Sequence, residues 1–283
     1  MKTKKIFLAA IFFTAVAFDA SAQKGWRIEF SIEPHSSMGG DFQVPIDVLN
    51  NNSAFVALNK KFRPGMDVGV DAGYYFNDKA SISIGVHYTS LGVDYKDYMW
   101  GYNGVTATLS KTIAMSYMKI PVLFHYVRPI TPKISSHWAV GFYYGVLTNY
   151  RDESRVTSSN GSSVTLSAED ENIINTYSDY SGTHTEVATF TTKPFNSNDF
   201  GGIVNAGVQL LLSDKISLPV LLSYQVGFSN VKNKTSSYSY QGDTYLYWDD
   251  GMSNRPNLNL DYVNSSFGIK IGVLIKLGTS VKK

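Results

Sequence analysis

The sequence predicts an all-β fold: an eight-stranded antiparallel up-and-down transmembrane β-barrel with long extracellular loops. Three observations support this fold class: an N-terminal export signal, eight stretches in which apolar and polar residues alternate, and connections that are alternately long and short. Alternation with a period of two is the pattern of a β-strand. Short turns at one end and long loops at the other are typical of membrane-spanning barrels. Because the number of strands is even, we expect both termini of the chain on the periplasmic side.

The N-terminus has the pattern of an export signal. Lysines lie among the first five residues, an apolar run follows at 6–18, and Ala20 and Ala22 form a small-residue cleavage site. The run is too short for a membrane-spanning helix, which needs about 20 residues. We expect residues 1–22 to be a cleaved signal peptide and residues 23–283 to form an outer-membrane β-barrel domain. The general secretory pathway would export such a chain.

The first half of the mature chain supplies four predicted strands. Residues 26–33 alternate Trp, Ile, Phe and Ile with Arg, Glu, Ser and Glu, up to a proline that weakens the run. Residues 66–76 and 80–96 alternate in the same way on both sides of a tight Asn-Asp-Lys turn, as in a hairpin. Residues 115–128 form the fourth strand, in which Pro121 is an irregularity because proline cannot donate a ladder hydrogen bond.

The second half supplies four more strands. Residues 134–150 follow a Pro-Ile-Thr-Pro turn, and residues 200–212 and 216–231 flank a Ser-Asp-Lys turn. Residues 267–277, Phe-Gly-Ile-Lys-Ile-Gly-Val-Leu-Ile-Lys-Leu, show the clearest period of two. The longest connection, 151–199, is rich in Ser, Thr, Asn and Asp, so we expect an exposed surface loop there.

Alternation alone does not say which face points inward, since a soluble lipocalin-like barrel alternates as well. A soluble exterior is about a quarter to a third charged, whereas the polar face here is dominated by glycine. Small residues fit the interior of an eight-stranded barrel, where side chains converge. We therefore expect the apolar face to contact lipid and the glycine face to line the lumen. These glycines are Gly69, Gly73, Gly85, Gly141, Gly145, Gly207, Gly227, Gly268 and Gly272.

Charged residues of both signs share the predicted lumen face with the glycines. Buried charges are tolerated when they are paired, so we expect a network of ion pairs across the lumen. The predicted members are Arg27, Glu29, Glu33, Asp67, Asp71, Lys119, Lys270 and Lys276.

Three motifs carry a family resemblance. They are Met-Ser-Tyr-Met-Lys-Ile-Pro-Val-Leu-Phe-His-Tyr at 115–126, the Gly-x-Asp-x-Gly of 69–73, and Gly-Ile-Lys-Ile-Gly-Val at 268–273. With the signal, they make the chain resemble the outer-membrane β-barrel family common in Bacteroidota, often described as PorT-like. The resemblance implies a structural barrel, and the founding members look like components of a secretion and gliding apparatus. The chain departs from the family in continuing past Leu277 and in the length of 151–199.

Composition and motifs give no catalytic, cofactor or metal site. The chain has no cysteine, which removes disulfides, thiolate metal sites and a cysteine nucleophile. No nucleophile elbow, zinc-protease motif or phosphate loop is present. His87, His125 and His137 fall on lumen faces, where we expect hydrogen-bonded structural roles. Asp249-Asp250 could act with His184 as an acid/base pair, but no catalytic motif supports this. Asp170-Glu171 or Asp249-Asp250 could hold calcium, but neither spacing matches a known calcium loop.

The sequence therefore favours a non-enzymatic outer-membrane barrel with a side-chain-filled lumen, whose surface loops contact a protein or ligand. Membership of a cell-envelope or secretion complex is the finer expectation, with outer-membrane lipid as the surroundings. The 25 basic and 23 acidic residues give no reason to expect nucleic acid. A narrow passive pore and a barrel hydrolase of lipid or protein are the alternatives. Tyr and Trp are favoured at contact surfaces, and the candidate contacts are Trp100, Tyr102, Tyr238, Tyr240, Tyr245, Tyr247 and Trp248.

Overall fold

The computed structural model describes residues 25–40, 43–45, 55–57, 59–77, 79–102, 105–233, 235–240, 243–246 and 262–277. The predicted signal peptide lies outside them. Within these ranges no helix is long and apolar enough to cross a membrane. The strands are β1 (Trp26–Met38), β2 (Gln43–Pro45), β3 (Phe55–Ala57), β4 (Lys60–Lys61), β5 (Arg63–Tyr75), β6 (Ala80–Tyr102), β7 (Val105–Pro129), β8 (Ile134–Ser158), β9 (Ser163–Glu169), β10 (Asn172–Asp179), β11 (Gly182–Thr192), β12 (Asn198–Leu211), β13 (Ile216–Gly227), β14 (Ser237–Tyr240), β15 (Asp243–Leu246) and β16 (Ser265–Leu277).

Eight of these strands close into a ring. The order is β12, β13, β16, β1, β5, β6, β7, β8, and β8 pairs with β12 again. Every pairing in the ring is antiparallel, including the closing ones, in which Val140 lies opposite Val204 and Arg27 opposite Lys276. The predicted eight-stranded antiparallel barrel is confirmed.

The apolar faces of the ring point outward. Phe142 and Ile269, for example, expose 58% and 46% of their surface, although both are large apolar side chains. On β7 the outward apolar residues run from Met118 to Tyr126, which is close to the roughly 9–11 residues of a membrane-spanning strand. We call this ring of outward apolar side chains the apolar band. Soluble proteins bury such residues, so the band is the surface that lies in lipid.

Short turns close one end of the barrel, the end at which the chain enters β1 and leaves β16. In these turns Phe76 N–H donates to Ala80 O at 3.0 Å and Leu212 N–H to Ile216 O at 3.0 Å. The side-chain oxygens of Asn77, Thr131 and Ser213 accept backbone N–H groups further along each turn. Such local acceptors favour tight turns.

The opposite end of the barrel is taller than the sequence predicts. β7 begins at Val105 rather than 115, and the 25 residues of β8 end at Ser158. At about 3.4 Å per residue, such a strand is far longer than a hydrocarbon layer of about 30 Å requires. The expected surface loop over 151–199 is wrong, because most of that segment continues β8 or forms β9, β10 and β11.

These additional strands form one sheet with the upper parts of β6, β7 and β8. It continues through β9, β10, β11 and β14 to β15, and we call it the upper sheet. One row across it aligns Ile113, Asp152, Ala168, Ile173 and Ala188. Its inward face has an apolar core, here called the upper core: Leu91, Val93, Tyr95, Leu109, Ile113, Met115, Tyr117, Tyr150, Ala168, Ile173, Ala188, Phe190, Phe195, Val231 and Tyr262.

A bulge lies where β8 leaves the barrel. Ser116 pairs with Asn149, but the adjacent Tyr117 pairs with Leu147, so Thr148 is the extra residue. The Thr148 hydroxyl donates to Ser116 O at 2.9 Å. The extra residue changes the phase of β8, because alternate side chains switch faces when one residue is inserted. Tyr150 therefore turns inward, into the upper core.

Candidate functional site

Lumen side chains pack closely against glycines on the lumen face. A Cβ atom on Gly69 would lie 2.4 Å from the His87 ring, and one on Gly85 would lie 2.1 Å from Asp71 Oδ1. Any larger residue at these positions would displace a charged or polar lumen side chain. Gly69 and Gly85 thus provide space that His87 and Asp71 occupy.

A chain of charged groups crosses the middle of the lumen. Lys270 Nζ lies 3.2 Å from Glu29 Oε1 and 3.3 Å from Asp71 Oδ2. His87 Nδ1 lies 2.6 Å from Asp67 Oδ1, and its Nε2 lies 3.2 Å from Asp71 Oδ2. Both ring nitrogens of His87 face carboxylates, an arrangement that only the cationic imidazole satisfies with two donors. All five residues are buried.

A second set of polar groups lies nearer the upper end. Lys119 Nζ donates to Gln225 Oε1 at 2.7 Å and lies 4.2 Å from the centre of the Tyr143 ring. Gln225 Nε2 in turn donates to Glu33 Oε1 at 3.3 Å. The Gln225 amide thus links Lys119 to Glu33. Gln225 is neutral and was not among the predicted charges. The sequence pattern places Gln225 on the lumen face of its strand. Its contacts with Lys119 and Glu33 depend on distances across the barrel, which the pattern does not give.

Asp199 organises the top of the lumen and is absent from the predicted set. Its carboxylate accepts hydrogen bonds from the Tyr143 hydroxyl, the Asn264 side chain and the Ser229 hydroxyl, each at 3.0 Å. Asn264 Nδ2 is also 3.3 Å from the Tyr117 hydroxyl, which borders the upper core. The sequence pattern places Asp199 at the end of the predicted loop 151–199. Its position directly before a strand was the one indication that it could lie at the top of the barrel.

The remaining predicted lumen charges lie towards the end of the barrel that carries the short turns. Arg27 stacks on the Tyr75 ring, with Cζ 3.5 Å from the ring centre, and Lys276 lies opposite Arg27 in the β1–β16 ladder. Near them His125 Nδ1 is 3.0 Å from His137 Nε2. The Ser83 hydroxyl is 2.7 Å from His125 Nε2.

Little open space remains among these groups. A cavity of about 10 Å³ lies between Asp67, His87, Lys119, Gln225 and Lys270. A single water molecule needs roughly 10–15 Å³ measured in this way. At this level the lumen is therefore filled by side chains, and its paired charges act to hold the strands together.

The upper core encloses polar groups of its own. Lys111 Nζ lies 2.5 Å from Asp152 Oδ1, and both side chains are buried. Burial raises the pKa of the Tyr150 hydroxyl, and the Asp170 and Asp152 carboxylates act in the same direction. The hydroxyl stays protonated and donates to Asp170 O. Burial likewise raises the pKa of Tyr262.

The candidate contact residues are distributed over opposite edges of the upper sheet. Trp100 and Tyr102 lie in β6, opposite Ala107 and Val105. β14 and β15, at the other edge, pair with each other and with β11. Those two strands contain Tyr238, Tyr240 and Tyr245, whereas Tyr247 and Trp248 lie outside the described residues.

The family model described as an outer membrane protein beta-barrel domain matches residues 21–233. The chain belongs to this family. The match and the closed ring place the protein in the bacterial outer membrane, with the upper sheet on the extracellular side. β16, which closes the ring, lies beyond the matched residues.

Comparison with solved structures returns other outer-membrane barrels. Neisserial surface protein A is 14% identical with a TM-score of 0.32, and the match covers 89% of this chain and 97% of that chain. Ail of Yersinia pestis is 10% identical with a TM-score of 0.30, over 89% and 100%. OprG of Pseudomonas aeruginosa is 10% identical with a TM-score of 0.34, over 90% and 98%. Similarities this weak carry no argument about function. No curated protein matched the chain.

Proposed function

We propose that the barrel is a non-enzymatic anchor that holds the upper sheet outside the cell for contact with another protein or ligand. The observation that carries the proposal is the continuity of β6, β7 and β8 from the apolar band into the upper sheet. Continuous strands make a rigid connection, unlike flexible loops. The upper core then stabilises the sheet above the membrane by burying apolar surface.

The upper sheet presents side chains that suit recognition. Tyr180, at the tip of the β10–β11 hairpin, is fully exposed, and Val187 on β11 is 60% exposed. Aromatic side chains supply large contact areas in protein interfaces. We propose that this hairpin and the aromatic residues of β14 and β15 form the contact surface. A PorT-like accessory role in a secretion complex would be one use of such a surface, and the resemblance of the Met115–Tyr126 segment supports it.

Site-specific photocrosslinking on intact cells tests the proposal. A photoreactive amino acid at Tyr180 should crosslink to a distinct protein or ligand, whereas the same group at the lipid-facing Phe142 should not. A variant in which a two-residue turn replaces the β10–β11 hairpin should insert normally and lose the product formed from positions on β14. Absence of crosslinks from every upper-sheet position, or their full retention without the hairpin, would contradict the proposal.

A narrow passive pore is the alternative, and the filled lumen argues against it. The cavity between Lys119 and Lys270 has room for about one water molecule, which is too little for a hydrated solute at this level of the lumen. Planar-bilayer recordings of the purified barrel should therefore show no stable single-channel steps. Large, reproducible steps would favour the pore instead.

A further inference from the structure

A groove crosses the outer wall of the barrel just above the apolar band. Its volume is about 140 Å³, and residues of β5, β6, β7 and β8 line it. Arg63 and Arg151 lie at its two ends, and Ser90, Ala114 and Ser116 lie between them. Leu91, Met115 and Tyr150 of the upper core also line it, and along each strand they alternate with the outward residues. The groove therefore lies on the outer side of the wall whose inner side carries the upper core.

The floor of the groove is made of small residues. One outward row aligns Ser90, Ser116 and Asn149, and the next aligns Gly92, Ala114 and Arg151. Directly below, the outward row is larger and apolar, with Tyr88 opposite Met118. The change from large to small side chains creates a depression above a bulky apolar edge.

The two arginines border this depression and are held in place. A Cβ on Gly92 would lie 2.7 Å from Arg63 Cδ, so the arginine stem lies across the glycine. Arg63 Nη1 is 2.8 Å from Asp94 Oδ1, and Arg151 Nη2 is 2.6 Å from Glu153 Oε2. A guanidinium has five N–H donors, so an ion pair through one nitrogen leaves other N–H groups that can donate to a ligand.

The height of the groove matches one layer of the membrane. Its two rows are the first and second outward rows above Tyr88 and Met118. With a rise of about 3.4 Å per residue and a strand tilt of about 40°, they lie roughly 5–10 Å above the apolar edge. The headgroup layer on each side of a bilayer is about 5–8 Å thick. The groove is therefore at the level of the lipid headgroups of the outer leaflet.

We propose that this groove binds the phosphorylated headgroup of an outer-leaflet lipid, with the phosphate between Arg63 and Arg151. The planar guanidinium suits phosphate because two parallel N–H groups can donate to two phosphate oxygens. The Ser116 hydroxyl and the Asn149 amide line the same space and can complete the hydrogen bonding. The acyl chains would then continue downward along the apolar band. This site does not depend on what the upper sheet contacts.

Native mass spectrometry of the refolded mature protein in neutral detergent tests the site. The probes are diphosphoryl lipid A, the same lipid with both phosphates removed, and inorganic phosphate. The protein should retain diphosphoryl lipid A at least about tenfold better than the dephosphorylated lipid, as expected for charge-assisted hydrogen bonds. The double variant Arg63→Gln/Arg151→Gln should abolish this preference.

Two further variants make the result decisive. Ala114→Leu fills the floor but keeps both arginines, so it should also abolish the preference, and it decides the test if the double variant does not fold. Arg155→Gln removes an exposed charge further along the same strand and should change nothing. Equal binding of the two lipids by the parent protein would overturn the proposal, as would an equal loss in Arg155→Gln. Complete displacement of lipid A by millimolar inorganic phosphate would overturn the assignment to a lipid.

Discussion

The lower and upper parts of the same strands have opposite polarity. In the lower part of β6, Ile84 points outward and His87 inward, whereas in the upper part Asp94 is on the outer face and Leu91 is inside. β7 changes in the same place, and Thr89 of β6 pairs with its Tyr117. Apolar side chains point away from water in both parts, towards lipid below and towards the upper core above. The level of this reversal marks the upper edge of the hydrocarbon layer on the barrel.

The largest expected effect comes from breaking the lumen network. Lys270→Met leaves Glu29 and Asp71 buried without the cation between them. Removing one partner of a buried pair costs about 3–5 kcal/mol of unfolding free energy. Urea unfolding in lipid vesicles, followed by tryptophan fluorescence, measures this loss. Lys215→Met, in an exposed periplasmic turn, is the control and should change stability by less than about 0.5 kcal/mol.

A broader result would contradict the network as a whole. Single alanine substitutions at its members Asp67, Asp71 and Lys270, and at the predicted member Lys276, would then all leave unfolding unchanged.

The second-largest effect tests the level at which the polarity of the strands reverses. It compares an arginine substitution below that level of β7 with one above it. Val122→Arg places a charge within the apolar band and should destabilise the barrel by about 2–4 kcal/mol, the cost near the bilayer midplane. Ser110→Arg, on the same outward face but above the reversal, should cost less than about 0.5 kcal/mol. Unfolding in vesicles compares the two. Equal costs would mean that the membrane boundary does not lie between them.

A smaller effect tests whether the upper core and the barrel unfold independently. Ile113→Val removes one buried methylene and should cost about 0.5–1.5 kcal/mol. Because Ile113 packs in the upper core, hydrogen exchange should accelerate in β9, β10 and β11 and remain unchanged in β16. Ile84→Val, on the lipid-facing side of β6, is the matched control and should alter neither region. Uniform acceleration in all strands would show that the two parts unfold together.

The smallest effect is a local titration in the β10–β11 turn. Asp179 Oδ1 accepts hydrogen bonds from the Ser181 hydroxyl and backbone N–H, and these lower the pKa of the exposed carboxyl. Because the pKa is lowered in the folded state, the turn gains stability above the ordinary Asp range and loses it as the pH falls through the lowered value. Carbon-13 NMR should show this shift, and Ser181→Ala should move the pKa back up. An unchanged pKa in Ser181→Ala would assign the shift to another cause.

The barrel and the upper sheet differed in how far sequence could predict them. The lipid-facing strands combine strong apolar residues with glycine, so their period of two is visible without any partner. In the upper sheet the outward positions of β7, such as Ser110 and Thr112, are small and polar, and segment 151–199 resembles a loop in composition. One signal was available: on β6 the apolar residues are even-numbered up to Tyr88 and odd-numbered from Leu91 to Tyr95. That change of phase marks the reversal without a turn.

Sequence alone determined that strands would form, which of their faces would be apolar and where the tight turns would lie. These properties depend on neighbouring residues along one strand, so the alternation of apolar and polar residues in the sequence predicts them. The tertiary structure decided which groups come together: Lys270 with Glu29 and Asp71, Asp199 with Tyr143, and Arg63 and Arg151 in the lining of one groove. Those distances are set by the register between strands that are far apart in the chain, and hydrogen bonding and packing fix that register only when the sheet closes.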